Sequence, residues 1–266
     1  MVILRVPVIL IMVMVTLSCG GGDSTNETTP AKSHQLNSVP DHVIRAPSAV
    51  IELLLIGNSH SAVNDFPIII EKLIATGTNK SVNVFNTSES AYLADRSRSS
   101  GNTYELVHSR DWTHVVLQAQ RYSTSGSRTY PTTAAQEWVA LLKKRNAIPI
   151  MYPEHPRLNN TEEGYRIFEL HSTIARSAEA CVAPIGPVWD LALQWYPEMA
   201  LYQDDGNHFS HLGAFLSALV FYQIVTEQPV DELPVIDGLS VDKSTQLQLK
   251  QVVADSLAIY PPCEYL

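Results

Sequence analysis

Short apolar runs alternate with amphipathic stretches along most of this chain. Ile51, Leu53, Leu54, Leu55 and Ile56 form a nearly continuous apolar run, the pattern of a strand buried on both faces of a parallel sheet. Asp65 and Pro67 then mark a helix start and Gly77 its end, with Ile69, Ile70, Leu73 and Ile74 as the apolar stripe between them. Residues 82–85 read as a second strand. A polar loop over 86–98 and a short helix over 104–109 follow. Val115, Val116 and Leu117 make a third strand that ends at Gln118-Ala119-Gln120.

The alternation continues past Pro131. A helix carries Trp138, Leu141 and Leu142, residues 148–152 form a strand, and Thr161 is placed to cap a helix with Ile167, Phe168, Leu170 and Ile174 on its apolar side. Residues 182–185 read as the next strand, and Pro187 opens a helix with Trp189, Leu191 and Leu193. Residues 212–226 are apolar on nearly every face, which suits a helix packed deep against the sheet. A last amphipathic helix holds Leu249, Val252, Val253 and Leu257. Strand and helix alternate about five times, so the expected architecture is a three-layer α/β/α sandwich with a parallel sheet, over residues 49–266. Trp138, Trp189 and Trp195 are expected to serve packing.

The N-terminal stretch has a different composition. Arg5 precedes an apolar run from Val6 to Leu17 that is too short to span a bilayer as a helix. It ends in Thr16-Leu17-Ser18-Cys19-Gly20, which resembles a bacterial lipobox. That resemblance implies a signal peptide over residues 1–18, lipidation of Cys19, and a protein held at the cell envelope by a lipid anchor. Residues 19–48 are rich in Gly, Ser, Thr and Pro and poor in apolar residues, as a flexible tether would be. The 18 Lys and Arg against 27 Asp and Glu give a formal charge of −9. With no basic cluster, this speaks against a nucleic-acid partner. Cys181 and Cys263 remain after Cys19. In an oxidising envelope they are candidates for a disulfide, or else two separate buried thiols.

The candidate chemistry lies on strand ends. Gly57-Asn58-Ser59-His60-Ser61 sits where the first strand delivers its C-terminal end, the edge at which open α/β sheets bind ligands. Late in the chain comes Asp204-Asp205-Gly206-Asn207-His208. A serine hydroxyl is a poor nucleophile until a base takes its proton and a third group holds that base in the right tautomer. Ser59 suits the first role, His208 the second, and Asp205 the third, folding back through Gly206 to reach Nδ1. Ser59 could instead be a turn residue, and His60, His155 and His211 read as structural or exposed. His211 is the rival base. Glu154, after the fourth strand, is placed to contact substrate.

Gly57-Asn58-Ser59 on the first strand, Asp205-x-x-His208 before a late helix, and Leu117-Gln118-Ala119-Gln120 between them resemble the SGNH (GDSL-like) hydrolase family. The likeness is to its branch with a GNS first block. It spans about residues 50–226 with the blocks in the family's order. The resemblance implies a flavodoxin-like sheet and hydrolysis of acyl esters, often acetyl or other acyl groups on carbohydrates or lipids, with a small-molecule or glycan ester as substrate and no metal or cofactor. It implies Ser59 as nucleophile with its own N–H in the oxyanion hole, His208 as base and then acid, and Asp205 as orienter. Two blocks depart from the family pattern. Thr87-Ser88-Glu89-Ser90-Ala91-Tyr92-Leu93 lacks the usual glycine, leaving the N–H of Ser90 or Ala91 as the second donor. In the third block Gln118 or Gln120 stands for the usual asparagine. Both are expected on one side of an extended strand, with Gln118 favoured.

Two other classes compete. A metal-dependent hydrolase would use Asp204 or Asp205 with His208 and His211, but no further ligand cluster completes it. An envelope lipoprotein that binds glycan through a decayed site is the non-catalytic alternative. An α/β-hydrolase is disfavoured, because the second glycine of G-x-S-x-G is missing.

Overall fold

The computed structural model describes residues 50–87 and 91–266. Strands β1 (Val50–Ile56), β2 (Ser81–Asn86), β3 (His114–Gln118), β4 (Ile148–Tyr152) and β5 (Cys181–Val182) form one sheet in the order β2-β1-β3-β4-β5. Every pairing is parallel. The alternating pattern predicts a parallel sheet, and the order is the doubly wound, flavodoxin-like one that the family resemblance implies.

The strands alternate their side chains between two cores. Leu53 and Leu55 of β1, Val116 of β3, and Ile150 and Tyr152 of β4 point into one core. That core is shared by helices α1 (Phe66–Thr78), α5 (Ile185–Trp195), α6 (His211–Thr226) and α7 (Lys243–Ile259). Leu54 and Ile56, Val115 and Leu117, and Met151 point into the other, with α2 (Asn102–His108), α3 (Thr133–Lys144) and α4 (Glu163–Ala178). A run of four consecutive apolar residues in β1 is thereby explained, since both faces are dry. Truncating any one of these leucines to alanine costs about 2–5 kcal/mol. Helix α6 is buried along almost its whole length, as its composition requires.

Some boundaries differ from expectation. β5 is only two residues long. Ala183 still donates its N–H to Met151, but Pro184 has no N–H to continue the ladder, and Ile185 already begins α5. Thr161 does not cap α4; the helix starts at Glu163, whose buried carboxylate accepts from the Arg157 backbone N–H at 2.7 Å. Trp138 and Trp189 are fully buried, whereas Trp195 is 43% exposed and contributes little packing.

Cys181 and Cys263 form a disulfide that joins β5 to the C-terminal tail. Beside it the Pro262 carbonyl accepts from the Val182 N–H at 2.6 Å. Among the described residues no helix is long and apolar enough to cross a membrane.

Candidate active site

The strand order reverses at β1, which pairs with β2 on one side and β3 on the other. The crevice beyond such a point is where doubly wound sheets bind ligands. β1 delivers Gly57 and Asn58 there, and Ser59 opens a single 3-10 turn through Ser61. Asn58 caps the turn, its Oδ1 accepting from the His60 N–H at 3.0 Å. Gly57 is required by close approach: a Cβ there would stand 2.4 Å from Ser61 Oγ and 2.5 Å from Gln118 Oε1. Arg96, only 3% exposed, holds the turn from beneath. It donates to the Gly57 carbonyl at 2.6 Å and to Thr103 Oγ1 at 2.8 Å. The sequence showed Arg96 only as one more charge in a polar loop.

The second half of the site comes from the loop before α6. An antiparallel bridge between Tyr202 and Phe209 closes it, and Gly206 turns it with φ of +63°. Asp205 Oδ1 accepts the backbone N–H groups of Asn207 and His208, both at 2.9 Å. Its Oδ2 lies 2.6 Å from His208 Nδ1, and His208 Nε2 lies 2.8 Å from Ser59 Oγ. An ionised carboxylate only accepts, so Nδ1 carries the proton and Nε2 is the acceptor for the serine hydroxyl. The His208 Nδ1–H and the backbone N–H groups of His208 and Asn207 hold the Asp205 carboxyl well below the usual carboxylate range. Ser59, His208 and Asp205 are thus brought together in an unbroken hydrogen-bonded chain. His211 is not; it lines a separate cavity with Asp65, Lys72 and Phe215.

The two glutamines separate. Gln118, fully buried at the end of β3, accepts the Asn58 N–H on Oε1 at 2.7 Å and donates from Nε2 to Glu154 at 2.7 Å. Gln120 turns elsewhere, its Nε2 donating to the carbonyls of Arg121 and Pro131 at 2.9 and 3.2 Å. The expected shared side fails because the strand stops at Gln118 and Ala119 is left-handed, with φ of +72°. Side-chain alternation holds only while the backbone stays extended. Ser90 lies outside the described residues, as does Cys19.

A cavity of about 400 Å³ opens beside the serine turn, lined by Asn58, Tyr92, Arg121, Tyr122, Glu154 and Arg157 among others. Arg121 lies over the Tyr92 ring at 4.5 Å and pairs with Asp95 at 2.9 Å. Arg157 pairs with the buried Glu163 at 3.2 Å. Burial and the charges of Glu154 and Glu163 push the Tyr122 hydroxyl far above its ordinary range, so it stays a neutral donor. Among the described residues no three His, Cys, Asp or Glu side chains are grouped to hold a metal ion.

Two solved structures share this architecture. A DUF4886 family protein from Bacteroides uniformis superposes with a TM-score of 0.63 at 15% identity, over 80% of this chain and 96% of that one. A protein assigned as an SGNH hydrolase from Slackia heliotrinireducens gives 0.52 at 22% identity, over 65% of this chain and 98% of that one. The fold is therefore that of the SGNH-like hydrolases; identities this low speak to fold alone. No protein-family model and no curated protein matches the sequence.

Proposed function

We propose that the chain is a serine esterase that hydrolyses acyl esters through an acyl-enzyme on Ser59. The observation that carries this reading is the continuous Asp205–His208–Ser59 chain, with contacts of 2.6 and 2.8 Å. Ser59 Oγ attacks the acyl carbon as its proton passes to His208 Nε2. Asp205 accepts from Nδ1–H and stabilises the imidazolium that forms. The carbonyl oxygen becomes an oxyanion, received in this reading by the Ser59 N–H and by the second Nε2–H of Gln118. Collapse expels the alcohol, which takes the proton from Nε2. Water then enters by the same route, His208 taking its proton, and releases the carboxylic acid.

The carrier in this reading is a polyhydroxylated one, an acylated carbohydrate. The support is the wall of the adjoining cavity, where tyrosine rings alternate with Arg121, Arg157, Glu154 and asparagine amides. Such a surface offers hydroxyl groups donors and acceptors and gives an acyl tail little apolar area. Lipid attachment at Cys19 belongs to the same reading, supported by the Thr16-Leu17-Ser18-Cys19 sequence and the tether behind it. Loss of labelled fatty acid on Cys19→Ser would test it.

The direct test of the chemistry is labelling of the full chain by a fluorophosphonate. The expected result is one adduct on Ser59, abolished in Ser59→Ala and His208→Ala while both variants stay folded. A folded wild type that does not label would overturn the esterase reading and favour a glycan-binding role.

A further inference from the structure

The loop that carries the base is closed on itself by the Tyr202–Phe209 bridge and by the Gln203 N–H on the His208 carbonyl at 2.8 Å. It must also be held against the serine turn. Asp205 and His208 keep 47% and 23% of their side-chain surface in solvent, yet a displacement of the base by about an ångström relative to its nucleophile is costly. Asn207, next to the base, ties the loop to that turn. The carbonyl of Asn207 accepts from His155 Nε2 at 3.0 Å, and its side-chain amide reaches His60 Nε2 at 3.4 Å. The His60 ring also stacks on His208, with centroids 4.8 Å apart and planes at 21°.

Both anchoring rings are themselves fixed. His155 lies against Trp189 at 4.1 Å and 16°, and meets His60 edge-on at 5.4 Å. Trp189 in turn donates its Nε1–H to Ser217 of α6 at 3.0 Å. The His60 backbone N–H is held by Asn58, and its carbonyl accepts from the Tyr152 hydroxyl at 3.2 Å. His60 is therefore the neighbour of the nucleophile in sequence and of the base in space. The Asn207 amide needs a bare Nε2 and hence a neutral ring on His60, whereas the Asn207 carbonyl needs only an Nε2–H on His155. Burial favours neutrality in both, against the charges of Glu154, Asp205 and Glu163 that face them alongside His208.

We propose that His60 and His155 are positioning residues, two buried neutral imidazoles that clamp the Asp205–His208 loop onto the Ser59 turn. This rests on Ser59 and His208 being the nucleophile and base.

The test uses the full chain and three readouts: the second-order rate of fluorophosphonate labelling, kcat and KM on p-nitrophenyl acetate, and amide hydrogen exchange of residues 203–210. His60→Ala and His155→Ala should label about 10- to 100-fold more slowly, lose kcat with KM nearly constant, and exchange faster in that loop alone. His60→Phe restores the stacking ring and His155→Gln restores an N–H for the Asn207 carbonyl, so each should recover most of the rate. Asn207→Ala, at a half-exposed loop position, removes only the amide arm and should slow labelling a few-fold. It guards against an alanine variant that does not fold. Wild-type loop exchange in these variants overturns the clamp, as does increased exchange throughout the sheet. Failure of the wild type to label overturns the nucleophile reading instead, and the exchange data then judge the clamp by themselves.

Discussion

The Gln118 carboxamide oxygen stands 2.7 Å from the Asn58 backbone nitrogen, across the gap between β3 and β1. A backbone N–H can only donate, so the contact settles which end of the amide faces the turn. Nε2 is thereby turned to the Glu154 carboxylate, to which it donates at 2.7 Å.

Gln118→Ala should therefore lower kcat about 100- to 1000-fold with a small change in KM, as loss of one oxyanion donor does. Gln120→Ala should leave kcat in place and instead cost about 1–3 kcal/mol, because two carbonyls lose a buried donor. Steady-state kinetics beside denaturant melts separate the two.

Gly57→Ala should silence the site while leaving the sheet folded. The new methyl would overlap Ser61 Oγ and Gln118 Oε1, so both the turn and the oxyanion amide must shift. Fluorophosphonate labelling should be lost while the far-ultraviolet circular dichroism stays that of the wild type.

Asp205→Asn should reduce kcat by about a thousandfold or more. The asparagine oxygen can still accept the two backbone N–H groups, but an amide N–H facing Nδ1 favours the tautomer with the proton on Nε2. The hydroxyl of Ser59 then loses its acceptor.

Acid should destabilise the fold through its buried histidines. Desolvation lowers His60 and His155, takes His171 down to about 4, and with Lys80 nearby does the same to His114. In the unfolded chain these groups protonate near pH 6.5. Between that value and the lower folded one the unfolded state binds more protons, so stability falls as pH falls. The melting temperature should hold above about pH 7 and drop progressively from pH 6.5 towards 4. A flat profile across that range would contradict the buried neutral rings.

Much of this architecture is legible in the sequence because its causes are local. Leu53 to Ile56 must be dry on both faces, and Asp205 reaches His208 within one tight turn. The chain fails to announce what depends on distant contacts. Nothing near Ala119 signals the left-handed residue that parts Gln118 from Gln120. Pro184, with no donor for the ladder, is the local signal that ends β5. His60 and His155 read as bland structural histidines, because their partner Asn207 is far along the chain from both and no periodicity links them. Arg96 gains its role only when folding brings the Gly57 carbonyl to it.

The covalent tie between β5 and the C-terminal tail does two jobs at once. It closes a loop of 82 residues, worth about 4.5 kcal/mol against the open chain. It also fastens a lid over a raw edge of the sheet, where Pro262 occupies the Val182 donor. Redox state and the cover of this edge consequently become one variable. A reduced or shortened chain should melt at a lower temperature and exchange the Val182 amide faster, where the oxidised protein keeps it protected.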